Sequence, residues 1–331
     1  MGGDFGPRVT IPSCLQALSR HPNLMIRVFG HQDEIYPHTR KISRDSAARF
    51  EIVHTDHVIA MDAKPSMALR HGKGSSMHMA LKQVSDGLAN ACVSAGNTGA
   101  LMVLGRSVLK MLPGIDRPAI ISAVPTHSGH SYMLDLGANV DCGAENLLQF
   151  AIMGSTMAQA VDQIEQPRVG LLNVGQEEIK GNEQVKLASR LIEEHGRLNY
   201  IGYIEGDDIF SGRCDVVVCD GFVGNVCLKA CEGTAQLFID KLKSSMISSS
   251  IKGWIARKLF SGLFNELKTL NPDQYNGASL LGLRGIVIKS HGSADVEAVT
   301  NAIGEALHEV KRQVPSRISD RLEAVLLERH Y

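Results

Sequence analysis

Five times along the chain, a short apolar run without polar alternation ends at a loop of glycine and small polar residues that leads into a helical pattern. The runs and their loops are 91–99, 132–139, 168–175, 215–225 and 285–293. Strands that are apolar on both faces are typical of a parallel sheet covered by helices on both sides. The sequence therefore predicts an α/β fold with a largely parallel sheet.

The first of these loops is the richest in small residues. It contains Ser94, Gly96, Asn97, Thr98 and Gly99, followed by the start of a helix. Glycines let the backbone approach a ligand closely, and a helix amino terminus attracts anions, although an ordinary strand-to-helix turn has the same pattern. Because ligands of open α/β sheets bind beyond the carboxyl ends of the strands, we expect all five loops to line one cleft.

Composition narrows the class of protein. The chain has 331 residues, 44% of them hydrophobic, and lacks the run of about 18 apolar residues that indicates a transmembrane helix. Its seven cysteines have no paired spacing, which is typical of reduced thiols in a cytosolic protein. A net charge of −1 gives no reason to expect a nucleic acid partner. No dinucleotide-binding or P-loop motif is present, and the short-spaced histidine pairs lack carboxylates around them, so neither a cofactor nor a metal is expected.

Two of the loops carry side chains suited to acyl or phosphoryl chemistry. Lys180 precedes a helix after the third strand, where its ammonium group could neutralise a phosphate. Asn225 lies at the start of the helix after the fourth, where its amide could stabilise an oxyanion. Taken singly, a lysine at the position of Lys180 is more often solvated, and an asparagine at the position of Asn225 is more often a helix cap. Their strands end on the same side of the predicted sheet, which favours a shared catalytic role. No serine nucleophile motif and no cysteine in an electropositive loop is present, which favours direct attack by a small nucleophile such as phosphate.

Residues 241–270 break the strand and helix alternation. Apolar residues recur at helical spacing, and six Lys or Arg side chains accompany one Glu between residues 241 and 268. Trp254, Phe260 and Phe264 lie among these cations. The pattern predicts one or two amphipathic helices that pack against a second subunit, contact an anionic membrane, or do both.

In combination, these segments resemble a known family, the bacterial phosphate acyltransferases called PlsX. The matching segments follow the same order along nearly the whole chain: 1–7, 93–101, 134–139, 169–175 with Lys180 and Gly181, 220–225, 277–282 and 289–292. The resemblance implies a three-layer αβα sandwich, like that of isocitrate and isopropylmalate dehydrogenases, in a single domain over residues 1–331. It also implies a homodimer, with residues 241–270 as a projecting amphipathic helical hairpin for dimer or membrane contact.

The resemblance implies a function as well. Family members transfer a long acyl chain from acyl carrier protein to inorganic phosphate, which yields acyl phosphate for phospholipid synthesis. The active-site lysine and asparagine of the family fall on Lys180 and Asn225. We expect phosphate to bind at the loop 94–99, with Gly137, Asn139, His291 and Gly292 as further lining, in a cytoplasmic protein that contacts the membrane peripherally.

Three other functions remain possible at this point. A phosphate acetyltransferase-like enzyme acting on acyl-CoA would need only a shorter acyl pocket. A nicotinamide-dependent dehydrogenase would need a cluster of acidic metal ligands, which the sequence does not assemble. A sensor that binds phosphate or acyl phosphate without catalysis would not depend on Lys180.

Family members also have a short apolar strand before the Met-Gly-Gly-Asp loop, whereas this sequence starts at that loop. Without such a strand, the apolar strands beside it would lose a pairing partner. Either the start is truncated or another segment replaces the strand. If it is truncated, we expect the chain to be less stable than one with the strand.

Overall fold

The structure is a computed structural model that describes residues 2–40, 42–247 and 276–328. Its strands are β1 (Ile26–Gly30), β2 (Phe50–His54), β3 (Ala91–Ser94), β4 (Ala119–Thr126), β5 (Gly129–Leu134), β6 (Arg168–Leu172), β7 (Asn199–Ile204), β8 (Val216–Val218), β9 (Ala278–Leu281) and β10 (Ile286–Lys289). Its helices are α1 (Pro7–Arg20), α2 (Gln32–Ile35), α3 (Arg44–Ala47), α4 (Pro65–His71), α5 (Ser76–Ser85), α6 (Thr98–Leu109), α7 (Ala144–Val161), α8 (Glu183–His195), α9 (Gly221–Ile247), α10 (Val296–Arg312) and α11 (Val314–Glu328).

The main sheet has helices on both faces. Its strand order is β3-β10-β9-β4-β5-β8-β6-β7, and most of its neighbouring pairs are parallel. Successive residues point to opposite faces, so Ile121 and Leu134 pack against α7, α8 and α11, whereas Ile120 and Met133 pack on the side of α5 and α6. The predicted α/β fold is confirmed.

The direction of the main sheet reverses at its centre. Strand β9 is antiparallel to both β10 and β4, and β4 is antiparallel to β5. These three antiparallel pairs make β3 and β10 run opposite to β5, β8, β6 and β7. The loops after β3 and β10 therefore lie at one end of the strands of the main sheet, and those after β5, β6 and β8 lie at the opposite end. Residues from both ends nevertheless line one groove: the loops after β3, β5, β8 and β10 contribute to it, as predicted, whereas the loop after β6 lies outside its lining.

A second, two-stranded sheet lies beside the first. Strand β1 pairs with β2 in parallel, and within the described ranges neither β1 nor β3 has a partner on its other side. A cavity of about 590 Å³ lies between β1 and β3. Helix α5 contacts both strands on one face, and α1 and α10 cover the other. The cavity is thus a slot bounded by two strand edges and closed by helices above and below.

Polar side chains determine where several helices begin. The Asn97 side chain accepts the Ala100 N–H at 2.9 Å at the start of α6, and the Asn182 side chain accepts the Val185 N–H at 2.9 Å at the start of α8. Such N-cap bonds satisfy amide groups that have no partner within the helix. They fix the loops after β3 and β6 relative to the sheet.

Among the described helices, none combines the length and apolar character needed to cross a membrane. Trp254, Phe260 and Phe264 lie outside the described residues, as does most of the predicted hairpin at 241–270.

Candidate active site

A buried carboxylate organises the loop after β5. Asp135 is fully buried, and its side chain accepts the Ile120 N–H at 2.9 Å and the Ala138 N–H at 3.0 Å. Burial raises the pKa of Asp135, and the hydrogen bonds oppose that rise. The Asn139 side-chain amide donates to the Asp135 carboxylate at 2.9 Å and to the Pro118 carbonyl at 2.7 Å. Asn139, which was predicted to line the phosphate site, is therefore buried and holds the loop together.

Helix α9 packs directly on this loop because glycines lie at the contact. A Cβ atom on Gly221 would lie 2.5 Å from the Asn139 carbonyl oxygen. One on Gly224 would lie 2.0 Å from the Asp135 carbonyl oxygen. Neither distance leaves room for a side chain, so the backbone of α9 can approach the loop only at glycine. The position of α9 on the loop, and with it that of Asn225, is fixed by these contacts.

The structure brings together Asn225 and Gly137, two of the predicted site residues. Gly137 has a φ of 122°, and a Cβ atom there would lie 3.4 Å from the Asn225 Cβ. Asn225 is exposed to solvent, and both residues line the same groove. The Asn225 amide is therefore available to a ligand in that groove.

The groove runs across the face of the sheet beneath α9. Its volume is about 1420 Å³, above the range of about 300–1,000 Å³ for pockets that hold a small ligand. Ile120, Val124 and Leu136 from the sheet side and Leu228 from α9 form an apolar wall. An extended apolar ligand could be held along its length.

Positively charged side chains lie at the end of the groove near the loop after β10. The Lys229 ammonium lies 3.3 Å from His291 Nε2 and donates to the Glu232 carboxylate at 2.7 Å. Lys289 is half-buried, and its ammonium donates to the Ser290 carbonyl. Burial and the neighbouring Lys229 lower the pKa of Lys289 to about 8.

His291 and Gly292, both predicted to be site residues, line this charged end of the groove. Lys229 and Lys289 also line it but were missed by sequence reasoning. Lys289 had a detectable signal, because it is the charged residue that ends an otherwise apolar strand. Lys229 had none, because its place depends on how α9 packs.

Most of the loop 94–99 contacts other parts of the protein rather than the groove. A Cβ atom on Gly96 would lie 2.8 Å from Met77 Cε, and one on Gly99 would lie 2.7 Å from Pro65 Cγ. Asn97 caps α6 and donates its amide to backbone carbonyls. Of the predicted residues here, Thr98 lines the groove, whereas Ser94 and Gly96 line the cavity beside β1. Phosphate binding by this loop stays a prediction.

Lys180 lies on an exposed loop after β6. The Asn173 side chain donates to the carbonyls of Gly175 at 3.1 Å and Lys180 at 3.3 Å, which ties the two ends of the loop together. Because β6 and β8 are parallel neighbours, Lys180 and Asn225 follow strands that end at the same edge. Lys180 lies outside the lining of the groove. The roles of both residues stay predictions.

Cys92 and Cys231 do not have the environment of nucleophiles. Burial raises the pKa of Cys92 to about 12, and that of Cys231, which lines the groove, to about 11. Both side chains are therefore thiols at neutral pH, and the thiolate is the reactive form.

His31, His54 and Asp56 form the one group of three possible metal ligands found among the described residues. His54 Nδ1 accepts the Gln32 N–H at 3.3 Å, and His54 Nε2 lies 2.9 Å from the Asp56 carboxylate. In that tautomer Nε2 carries a proton and donates to Asp56, so it has no lone pair for a metal. The contact is a hydrogen bond outside the groove.

Comparison with solved structures defines the class of fold. The chain is similar to a phosphotransacetylase from Streptococcus pyogenes with a TM-score of 0.61 and 17% sequence identity, over 92% of each chain. This similarity establishes a mixed α/β fold of the phosphotransacetylase type.

Sequence comparison defines the family. The family model described as "Fatty acid synthesis protein" matches residues 1–317, and the chain belongs to that family. It is 64% identical to the phosphate acyltransferase of Vibrio campbellii and 65% identical to that of Vibrio cholerae serotype O1 (strain ATCC 39541 / Classical Ogawa 395 / O395). Each match covers 100% of this chain and 97% of the relative. The resemblance to bacterial phosphate acyltransferases is confirmed.

Proposed function

We propose that this protein is an acyltransferase that moves a long acyl chain from acyl carrier protein to inorganic phosphate, forming acyl phosphate for phospholipid synthesis. The observation that carries the proposal is the groove, which combines a long apolar wall with an exposed amide at Asn225 and cations at one end. The names of its relatives support phosphate as the acceptor. The size of the groove supports a long acyl chain rather than an acetyl group.

In the proposed reaction, an oxygen of the hydrogen phosphate dianion attacks the thioester carbonyl carbon. A C–O bond forms, the carbonyl oxygen becomes negative, and the Asn225 amide donates a hydrogen bond to it. The C–S bond then breaks, and the sulfur of the carrier takes the proton that phosphate gives up. Lys180 neutralises negative charge from the exposed edge of the site. Because no covalent enzyme intermediate is needed, positioning and charge stabilisation supply the catalysis.

The proposal is tested by incubating the protein with palmitoyl carrier protein and phosphate and trapping acyl phosphate with hydroxylamine. We expect product only when phosphate is present. Turnover of acetyl-CoA with indifference to the carrier protein would favour an acetyltransferase instead. Phosphate binding without any product would favour a sensor.

Ser122 offers a way to test where the acyl chain binds. It lies between Ile120 and Val124 on the groove side of β4 and is only half-buried. We expect Ser122→Phe to lower kcat/KM for a palmitoyl donor about tenfold, because the ring occupies space needed by the chain, and to affect an octanoyl donor much less. Ser122→Ala is the matched control and should leave the preference unchanged. Equal losses for both donors would place the chain elsewhere.

We further propose a homodimer that contacts anionic membrane. Phe222, Leu237 and Phe238 of α9 are each more than half exposed, which supports an apolar contact with a partner. Sedimentation should therefore give twice the mass of the chain.

The membrane contact is assigned to Trp254, Phe260 and Phe264, and liposome flotation should be lost in a Trp254→Glu/Phe260→Glu variant. Flotation equal to that of the unchanged protein would refute this assignment.

A further inference from the structure

We propose that inorganic phosphate binds at the charged end of the groove, between Lys289, Lys229 and His291, and that Lys289 binds it as an ammonium ion. The inference rests on the proposed phosphate acyl transfer and assigns the acceptor to a place in the structure. It differs from the sequence prediction, which placed phosphate at the loop 94–99.

The first argument is the charge of Lys289. In the described part of the chain, no carboxylate lies within ion-pair distance of its ammonium group. The charged groups that face it are Lys229 and Glu232 on α9, Asp4 from the amino-terminal segment and His291 on the following loop. Glu232 is already paired with Lys229. Asp4 raises the pKa of Lys289 but lies beyond ion-pair distance, and burial and Lys229 outweigh it. A further anion would therefore stabilise this half-buried cation beside a like charge.

The second argument is the supply of hydrogen-bond donors. Lys229 gives one N–H to Glu232 and lies 3.3 Å from His291 Nε2, while His291 Nδ1 lies 2.8 Å from the Ser293 hydroxyl and accepts the Ser293 N–H at 3.4 Å. Lys289 gives one N–H to the Ser290 carbonyl. Each ammonium has three N–H groups, so both lysines retain at least one donor for a ligand. Phosphate oxygens are suited to such converging charged donors.

The third argument is the position of this cation cluster relative to the reacting carbonyl. Lys229 lies four residues after Asn225 on α9, so the two side chains project from one face of the helix about 5–6 Å apart at Cβ. Both line the groove. A phosphate at Lys229 and Lys289 is therefore adjacent to a carbonyl whose oxygen is held by Asn225, as nucleophilic attack on the carbonyl carbon requires.

The inference makes a prediction about pH. Burial and Lys229 lower the pKa of Lys289 to about 8, so the ammonium form needed for binding is lost as the pH rises through about 8. We expect kcat/KM for phosphate to fall above that pH in the unchanged protein, because this quantity reports the free enzyme. Phosphate itself is already dianionic there and adds no further change.

Variants of Lys289 separate this role from a structural one. Lys289→Met should raise KM for phosphate at least tenfold at pH 7 and abolish the fall above pH 8. Lys289→Arg, which keeps its charge at all pH values, should retain phosphate binding and also lose the fall. Lys311→Met, an exposed lysine on α10, is the matched control and should behave as the unchanged protein. An unchanged KM and pH profile in Lys289→Met would overturn the inference.

Two further measurements distinguish the possible failures. If Lys289→Met raises KM for the acyl carrier protein and not for phosphate, the cations bind the phosphodiester of the carrier's prosthetic group, and the inference is wrong. Calorimetric titration of the protein with inorganic phosphate alone should show binding that Lys289→Met weakens. This measurement needs no turnover, so binding would support the phosphate site even if the acyl-transfer assay failed. Turnover without such binding would refute the phosphate site and leave the proposed function standing.

Discussion

Asn225→Ala should lower kcat about 100- to 1000-fold while leaving KM for phosphate within roughly twofold. Removing one donor to a developing oxyanion has an effect of this size, because the hydrogen bond is stronger in the transition state than in the ground state. Asn225 has the required access, since it lines the groove beside Gly137 and is exposed. The measurement is steady-state acyl phosphate formation with palmitoyl carrier protein.

Two further variants control for this prediction, one at another asparagine and one at Asn225 itself. Asn23→Ala changes an exposed asparagine that lines the cavity beside β1 and not the groove, and it should retain full activity. Asn225→Asp should be at least as damaging as the alanine variant, because a carboxylate repels the oxyanion. Wild-type kcat in Asn225→Ala, with an unchanged melting temperature, would remove Asn225 from the mechanism.

The second large effect concerns stability. Adding an extended apolar segment of about six residues before Met1 should raise the melting temperature by about 5 °C. Gly2 lies against Gly96, just beyond the carboxyl end of β3, so a segment ahead of it would run along β3 into the cavity of about 590 Å³. There it could form hydrogen bonds with β3 on one side and β1 on the other, each contributing about 0.5–1.5 kcal/mol.

The control is an extension of equal length made of glycine and serine. Because helices cover both faces of the slot, the added strand must be apolar on both faces, and a polar extension should give no gain. Thermal unfolding followed by circular dichroism measures the difference. Equal melting temperatures for the two extensions would show that the slot does not accept a strand.

Much of the fold could be predicted from the sequence because strands buried on both faces have a distinctive composition. The reversal at β4 and β9 could not be predicted from that composition, since a strand in the middle of a sheet is equally apolar whichever way it runs. One signal was available. Only His127 and Ser128 separate β4 from β5, and so short a connection permits antiparallel pairing but not a parallel crossover.

The site was less predictable than the fold. A glycine indicates that another group comes close to the backbone, but the sequence does not show whether that group is a ligand or part of the protein. Gly96 and Gly99 face Met77 and Pro65, whereas Gly137 faces Asn225 in the groove. The charged end of the groove depends on α9 crossing the sheet to meet the loop after β10, and that crossing angle is set by packing rather than by a local motif.

The glycine contact of α9 also divides the helix into positions that can change and positions that cannot. At Gly224 even alanine would place a methyl group 2.0 Å from the Asp135 carbonyl oxygen, so the helix would have to lift from the sheet along its length. Leu228, one turn further along the helix, is only partly buried and lines the groove. To change the acyl preference, substitutions should therefore leave Gly224 intact and vary groove-lining positions such as Leu228. Most variants made in this way should keep the folded site.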